Sequence, residues 1–326
     1  MSKPDQRDFG PEKIWPLVAA GMFVLLTLNY FQASNAPTEP VAVLRANNPD
    51  GTPGGAVYRR DCNPGDNRIW VSNHDFTECI AYVVARSGRN DGMALVFFNG
   101  DVPEPLRRDQ AKPEVAAREL QRAEAGAPEL WITTAALGRP GMVGSTGIRN
   151  EGGCWGGCYI MSAAVDSLKQ QLGVSRIAMA GQSGGARLIA QMLALGRNET
   201  MCAAMGSGAY DLPKRTDGSR AATNLFGNPA RRYMVPLLVA SEIPVLSGRR
   251  LIVIGDREDQ RTAFEEQQRW AQRLTELGHD TLLIEARGQG PERHGLSNAA
   301  IRAAAACITG GDELEIRNQT ARANPI

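Results

Sequence analysis

The chain has 326 residues, 36 Lys and Arg against 35 Asp and Glu, and a formal net charge of +1. A balance this even provides neither a basic face for nucleic acid nor a charged track for a polyionic substrate. With 43% hydrophobic residues, 35 glycines and 19 prolines, it is neither disordered nor fibrous and suits a globular α/β protein with many connections.

The first feature along the chain is Ile14 to Phe31, eighteen residues without a charge, preceded by Lys3, Arg7 and Lys13. That length can span a bilayer's hydrocarbon core, and Trp15 and Tyr30 stand near its ends as interface anchors would. The expectation is a transmembrane anchor over 14–31, a cytoplasmic N-terminus over 1–13, and export of everything that follows. A signal peptide cleaved after Ser34-Asn35-Ala36, or a buried core helix, are the alternatives. The folded part is then membrane-anchored in the periplasm or outside the cell, or secreted after cleavage. A polar, Pro-containing linker over 32–55 leads to a folded domain expected over 56–310 and a tail over 311–326.

Six cysteines follow the apolar segment, which suits an oxidising compartment. Cys62 and Cys79 flank a hairpin pattern, and Cys154 and Cys158 could close a small loop, so these are the expected bridges. Cys202 and Cys307 lie in apolar surroundings and read as core thiols. With only His74, His279 and His294, no compact Cys/His cluster offers a zinc site, and no metal or cofactor is expected.

Strands are expected at Arg68–Ser72 and Cys79–Arg86, paired, and at Ala94–Phe98, whose fully apolar run suits a central position. Pro113–Ala125 has helical spacing, Leu130–Leu137 is the next strand, and a Gly-rich loop runs from Gly138 to Gly147. A helix over Tyr159–Leu172 precedes the stretch around which the chain is organised. There an apolar strand ends in Gly181-Gln182-Ser183-Gly184-Gly185, and a helical pattern follows at once. Strand, Gly-x-Ser-x-Gly and helix in that order are the context of a nucleophile elbow. The turn is tight enough that side chains at Gly181 and Gly185 would collide, and it aims a helix N-terminus at the Ser183 hydroxyl. Beyond it come strands at Met201–Met205, Arg249–Ile254 and Thr281–Ala286, and helices at Ala263–Leu277 and Leu296–Ile308. The segment Leu212–Ser247 reads as irregular, with an apolar patch at Val235–Ala240. Strands alternating with helices after an antiparallel start imply a mostly parallel sheet covered on both faces, with its site beyond the strands' carboxyl ends.

Eight strands, an elbow after the fifth and a Gly-rich loop after the fourth resemble the α/β-hydrolase fold over roughly Arg68 to Ile308. Within that superfamily the chain is most similar to compact esterases and prolyl-oligopeptidase-like domains of the dienelactone-hydrolase kind. The resemblance implies a catalytic triad in the order Ser, acid, His, and so makes His294, in the loop before the closing helix, the base. His279 falls on the opposite edge of the sheet. Asp259 is the favoured acid, with Asp256 and Glu258 as alternatives in the same loop, while Thr262 and Glu265 read as a capping box for the next helix. The implied oxyanion donors are the amides of Gly184 and of Asp101, in Asn99-Gly100-Asp101 where the family often has His-Gly-x. Asn99 departs from that pattern, and the Asp101 carboxylate would have to point away from a developing oxyanion.

The expected activity is ester cleavage by an acyl-enzyme route, on a small-molecule ester or peptide substrate. A serine peptidase and a non-catalytic scaffold in an envelope assembly are the alternatives. Arg149 and Arg187 are candidates to read an acidic substrate, and Trp155, Tyr210, Phe226 and Tyr233 to line a pocket.

Overall fold

A computed structural model of the chain describes residues 62, 63, 65, 67–72, 77–87, 92–101, 132–146, 157–211 and 234–323. Eight strands form one mixed sheet: β1 (Arg68–Ser72), β2 (Thr77–Ala85), β3 (Met93–Phe98), β4 (Thr133–Leu137), β5 (Arg176–Gln182), β6 (Thr200–Gly206), β7 (Arg250–Gly255) and β8 (Asp280–Glu285). Their spatial order is β1-β2-β4-β3-β5-β6-β7-β8. The β1/β2 and β2/β4 pairs are antiparallel, and every pair from β4 to β8 is parallel.

Alternation along the strands divides the core into two layers, because successive side chains point to opposite faces. Leu251 and Val253 of β7 join Ile177 and Met179 of β5 on one face. Ile252 and Ile254 join Ala178 and Ala180 on the other. The first face is covered by α1 (Gly157–Leu172), α2 (Gly184–Ala194), the short α3 (Pro236–Val239) and α4 (Phe264–Glu276). The second is covered by α5 (Ser297–Ile308), with Ile316 of α6 (Glu313–Ala323) buried against the same cluster. Helix α5 presents Ala299, Ala300, Ala303 and Ala304 to a sheet face that is itself built of Ala178, Ala180 and Ala204. Small residues on both sides let helix and sheet approach closely and pack at interior density. The strand pattern of the sequence anticipates all eight strands to within a few residues, whereas α6 lies in the stretch read as a tail.

Two expectations need correction. The membrane-spanning helix is not found: no helix among the described residues is long and apolar enough to cross a membrane. Residues 14–31, on which that expectation fell, lie outside the described residues, as do residues 113–125 and their expected helix. The membrane as a partner, the signal anchor and the membrane-anchored location are withdrawn together with that helix. The second correction concerns Cys202 and Cys307, which are not core thiols but a disulfide with Cα atoms 6.0 Å apart. They stand 105 residues apart in sequence, on β6 and α5, and meet because α5 packs flat on the sheet. Cys62 and Cys79 are bridged, with Cα atoms 5.6 Å apart. Cys158 is also disulfide-bonded, while Cys154 lies outside the described residues.

Candidate active site

The parallel strands point their carboxyl ends to one edge, and four of those ends carry the candidate site. At the end of β5 the backbone of Ser183 has φ 55° and ψ −119°, and α2 begins at the next residue. An L residue held there is strained, and the surroundings must over-determine it. They do so through the glycines. A Cβ on Gly181 would come within 2.6 Å of the Gly185 carbonyl carbon, and one on Gly185 within 2.7 Å of the Asn99 carbonyl oxygen. The Ser183 amide donates to the Gly206 carbonyl at 2.8 Å, so β6 pins the turn from the side.

Past the end of β7, the turn Asp256–Thr262 separates its carboxylates by task. Asp259, with 1% of its side chain exposed, faces His294: Nδ1 lies 2.9 Å from Oδ2 and 3.0 Å from Oδ1. Asp259 also accepts the amides of Arg261 and Thr262 at 2.8 and 3.1 Å and the Thr262 hydroxyl at 2.9 Å. Burial would raise its pKa, but the His294 bond and the neighbouring amides outweigh that and hold it below the ordinary value. Thr262 is thereby taken from the capping box expected of it, and α4 starts with no side-chain cap.

Asp256 does different work. It pairs with Arg293 at 2.7 Å and accepts the amides of Gly288 and Glu258 at 2.6 and 2.8 Å. Burial opposes its ionisation, yet these bonds, Arg293's first, bring its pKa below normal. Glu258 is exposed and pairs with Arg293 at 2.8 Å. Neither alternative acid therefore faces the imidazole.

The loop after β8 is clasped at both ends so that it presents His294, which is 8% exposed. Gln289 and Gly295 exchange backbone bonds of 2.8 and 3.0 Å. A Cβ on Gly288 would strike the Arg293 carbonyl group, so glycine is required there by close approach. Gln182, the residue before Ser183, donates from Nε2 to the His294 carbonyl at 2.9 Å and couples the elbow to the histidine loop. The Gln260 amide donates to the Glu292 carbonyl at 3.0 Å and couples the acid turn to the same loop. Sequence reading missed Gln182 and Arg293, since each acts through a partner remote in the chain. Seven polar residues in a row over Asp256–Thr262 were the available hint.

On the other side of Ser183, Asn99-Gly100-Asp101 follows β3. The Asp101 carboxylate does not point away from the elbow. A Cβ on Gly184 would meet its Cγ at 2.6 Å and Arg139 Nη1 at 2.8 Å. Arg139 pairs with Asp101 at 2.5 Å. Unpaired, a carboxylate about 5 Å from an oxyanion would oppose it by roughly 3 kcal/mol at an effective dielectric near 20. Arg187, one turn into α2, lies in the same field. Burial lowers its pKa, and Asp101, Arg139 and Glu266 act on it in turn. Glu266 is engaged by the amides of Tyr210 and Asp211. Tyr210 is fully buried and stacked on Trp270, with ring centroids 5.0 Å apart, so it packs in the core. Arg149, Trp155, Phe226 and Tyr233 lie outside the described residues.

Strand order, a strained serine between β5 and α2, and an acid and a histidine after β7 and β8 together define an α/β-hydrolase fold. No protein-family model matches the chain. No curated protein matches it either. Among solved structures it is similar to Est1E from Butyrivibrio proteoclasticus with ferulic acid bound, at 14% identity and a TM-score of 0.48, covering 67% of this chain and 88% of that one. It is similar to the Pyrococcus furiosus esterase Pf2001 at 16% identity and a TM-score of 0.49, covering 68% and 85%. An acylaminoacyl peptidase matches at 15% identity and a TM-score of 0.48, over 78% of this chain but 39% of that one. Such low values transfer neither an activity nor a substrate, and none singles out the dienelactone-hydrolase-like branch expected from the sequence.

Proposed function

We propose that the chain is a serine hydrolase that cleaves a carboxylic ester, with Ser183 as nucleophile, His294 as base and Asp259 as the acid that orients it. The observation that carries this reading is the His294–Asp259 contact of 2.9 Å, on the strand edge where the Ser183 elbow turns. With Nδ1–H donated to Asp259, the imidazole keeps Nε2 as the basic nitrogen that takes the serine proton. Ser183 Oγ then attacks the ester carbonyl, and the oxyanion is received by the amides of Gly184 and Asp101. Donors of this kind contribute roughly 3–4 kcal/mol each when preorganised. His294 passes its proton to the leaving alkoxide, and a water activated by the same nitrogen releases the acyl group and regenerates the serine.

The test is labelling of the disulfide-intact protein with a fluorophosphonate probe, followed by turnover of p-nitrophenyl acyl esters of increasing length. Labelling at Ser183 with ester turnover is the expected result. Protein that stays unlabelled would sink the reading, and turnover of peptide anilides in place of esters would move it to a peptidase.

A further inference from the structure

We infer that Arg139 is a positioning residue for the oxyanion site, holding the Asp101 carboxylate in place and cancelling its charge. The inference rests on the reading of Ser183 as nucleophile and of the Asp101 amide as an oxyanion donor. The loop that carries this donor has a carboxylate packed against Gly184, the residue that supplies the other donor. A negative group at that point works against the charge that the site must receive.

Three observations place the remedy at Arg139. Its guanidinium grips the loop at both ends, donating from Nη1 to the Asn99 carbonyl at 3.0 Å and from Nη2 to Asp101 Oδ1 at 2.5 Å. A planar fork can hold two acceptors at fixed separation, which an ammonium cannot. Arg139 is also itself held. The Met142 amide donates to its carbonyl at 2.8 Å, the Gly141 amide donates to Thr146 O at 2.9 Å, and the Ser145 hydroxyl donates to Gly138 O at 2.8 Å. Finally, the ion pair fills the space that a Cβ on Gly184 would need, so any displacement of the pair is felt at the donor amide. Only 12% of the Arg139 side chain is exposed, against 39% for Asp101, so solvent screens the pair incompletely.

The experiment is a double-mutant cycle on ester turnover, with fluorophosphonate labelling of wild-type protein as the control for the hydrolase reading. Arg139→Met is expected to lower kcat by about 10²-fold, the cost typical of a disabled oxyanion donor, with KM changing less than about threefold. Asp101→Asn keeps the backbone amide and should lose no more than about tenfold. Adding Asp101→Asn to Arg139→Met should recover about tenfold or more, because the charge that needed cancelling is gone. A merely structural arginine would give no such rescue. Arg139→Lys keeps the charge but not the planar fork, so it is expected to lose less than Arg139→Met and to recover little when Asp101→Asn is added. Full kcat in Arg139→Met, or a double variant no better than the single one at equal Tm, would overturn the inference. A rise in KM confined to anionic esters would also overturn it, assigning Arg139 to substrate recognition. Wild-type protein that never labels would overturn the hydrolase reading itself, and is seen before any variant is made.

Discussion

Two histidines follow Ser183, and they are almost equally buried, His294 at 8% exposure and His279 at 7%. His294 stands on the carboxyl edge of the sheet, with its Nδ1 against a carboxylate and its carbonyl held by Gln182. His279 stands on the opposite edge, between α4 and β8, and its Nε2 has no hydrogen-bond partner among the described residues. Burial and then the nearby Arg249 push its pKa down. Arg249 is itself buried, with Nε and Nη2 unpartnered among the described residues and Nη1 on the Arg197 carbonyl at 3.2 Å. The contrast teaches that seclusion alone does not make an imidazole a base. A carboxylate partner on one nitrogen is what orients the ring and stabilises the imidazolium that catalysis requires. Next to a guanidinium, the same ring is driven to stay neutral.

Exchange of the two rings' fates is the strongest way to break this comparison. His294→Ala is expected to abolish Ser183 labelling and to lower kcat by at least ~10³-fold, whereas His279→Ala, measured on folded protein, should keep both. Asp259→Asn should cost up to ~10⁴-fold in kcat, since an amide donor facing Nδ1 would enforce the wrong tautomer. Asp256→Asn and Glu258→Gln should spare the chemistry, and equal kcat losses in all three would erase the distinction drawn between these carboxylates.

A smaller effect lies away from both rings. Replacing Cys202 and Cys307 together by alanine removes a bridge that closes a long loop, and should lower stability by about 2–4 kcal/mol in denaturant melts. Ester turnover by the protein that remains folded should be unchanged.

The smallest effect sharpens the comparison through pH. A histidine whose folded pKa is depressed leaves the unfolded chain with more bound protons between that depressed value and the ordinary 6.5. His279 therefore contributes its full share of stability above about pH 6.5 and loses it as the pH falls through that window. His279→Gln should flatten the fall in Tm below that pH, and a slope identical to wild type would show that the ring does not titrate on unfolding.

Much of this protein could be read along the chain, because the features concerned are local. The apolar strand runs, their two-residue alternation and the Gly181-to-Gly185 elbow each arise from steric and burial rules acting within a few neighbouring residues. Polar partners are another matter. Asp256, Glu258 and Asp259 are near-equivalent in sequence, and the direction of a turn after β7 decides that Asp259 meets His294 while Asp256 meets Arg293. The grip of Arg139 on the Asn99–Asp101 loop likewise needs β3 and β4 to be side by side. So does the Cys202–Cys307 bridge need α5 on the sheet. Local backbone preference is encoded where it acts, whereas a charge or a thiol finds its partner only after remote segments have packed.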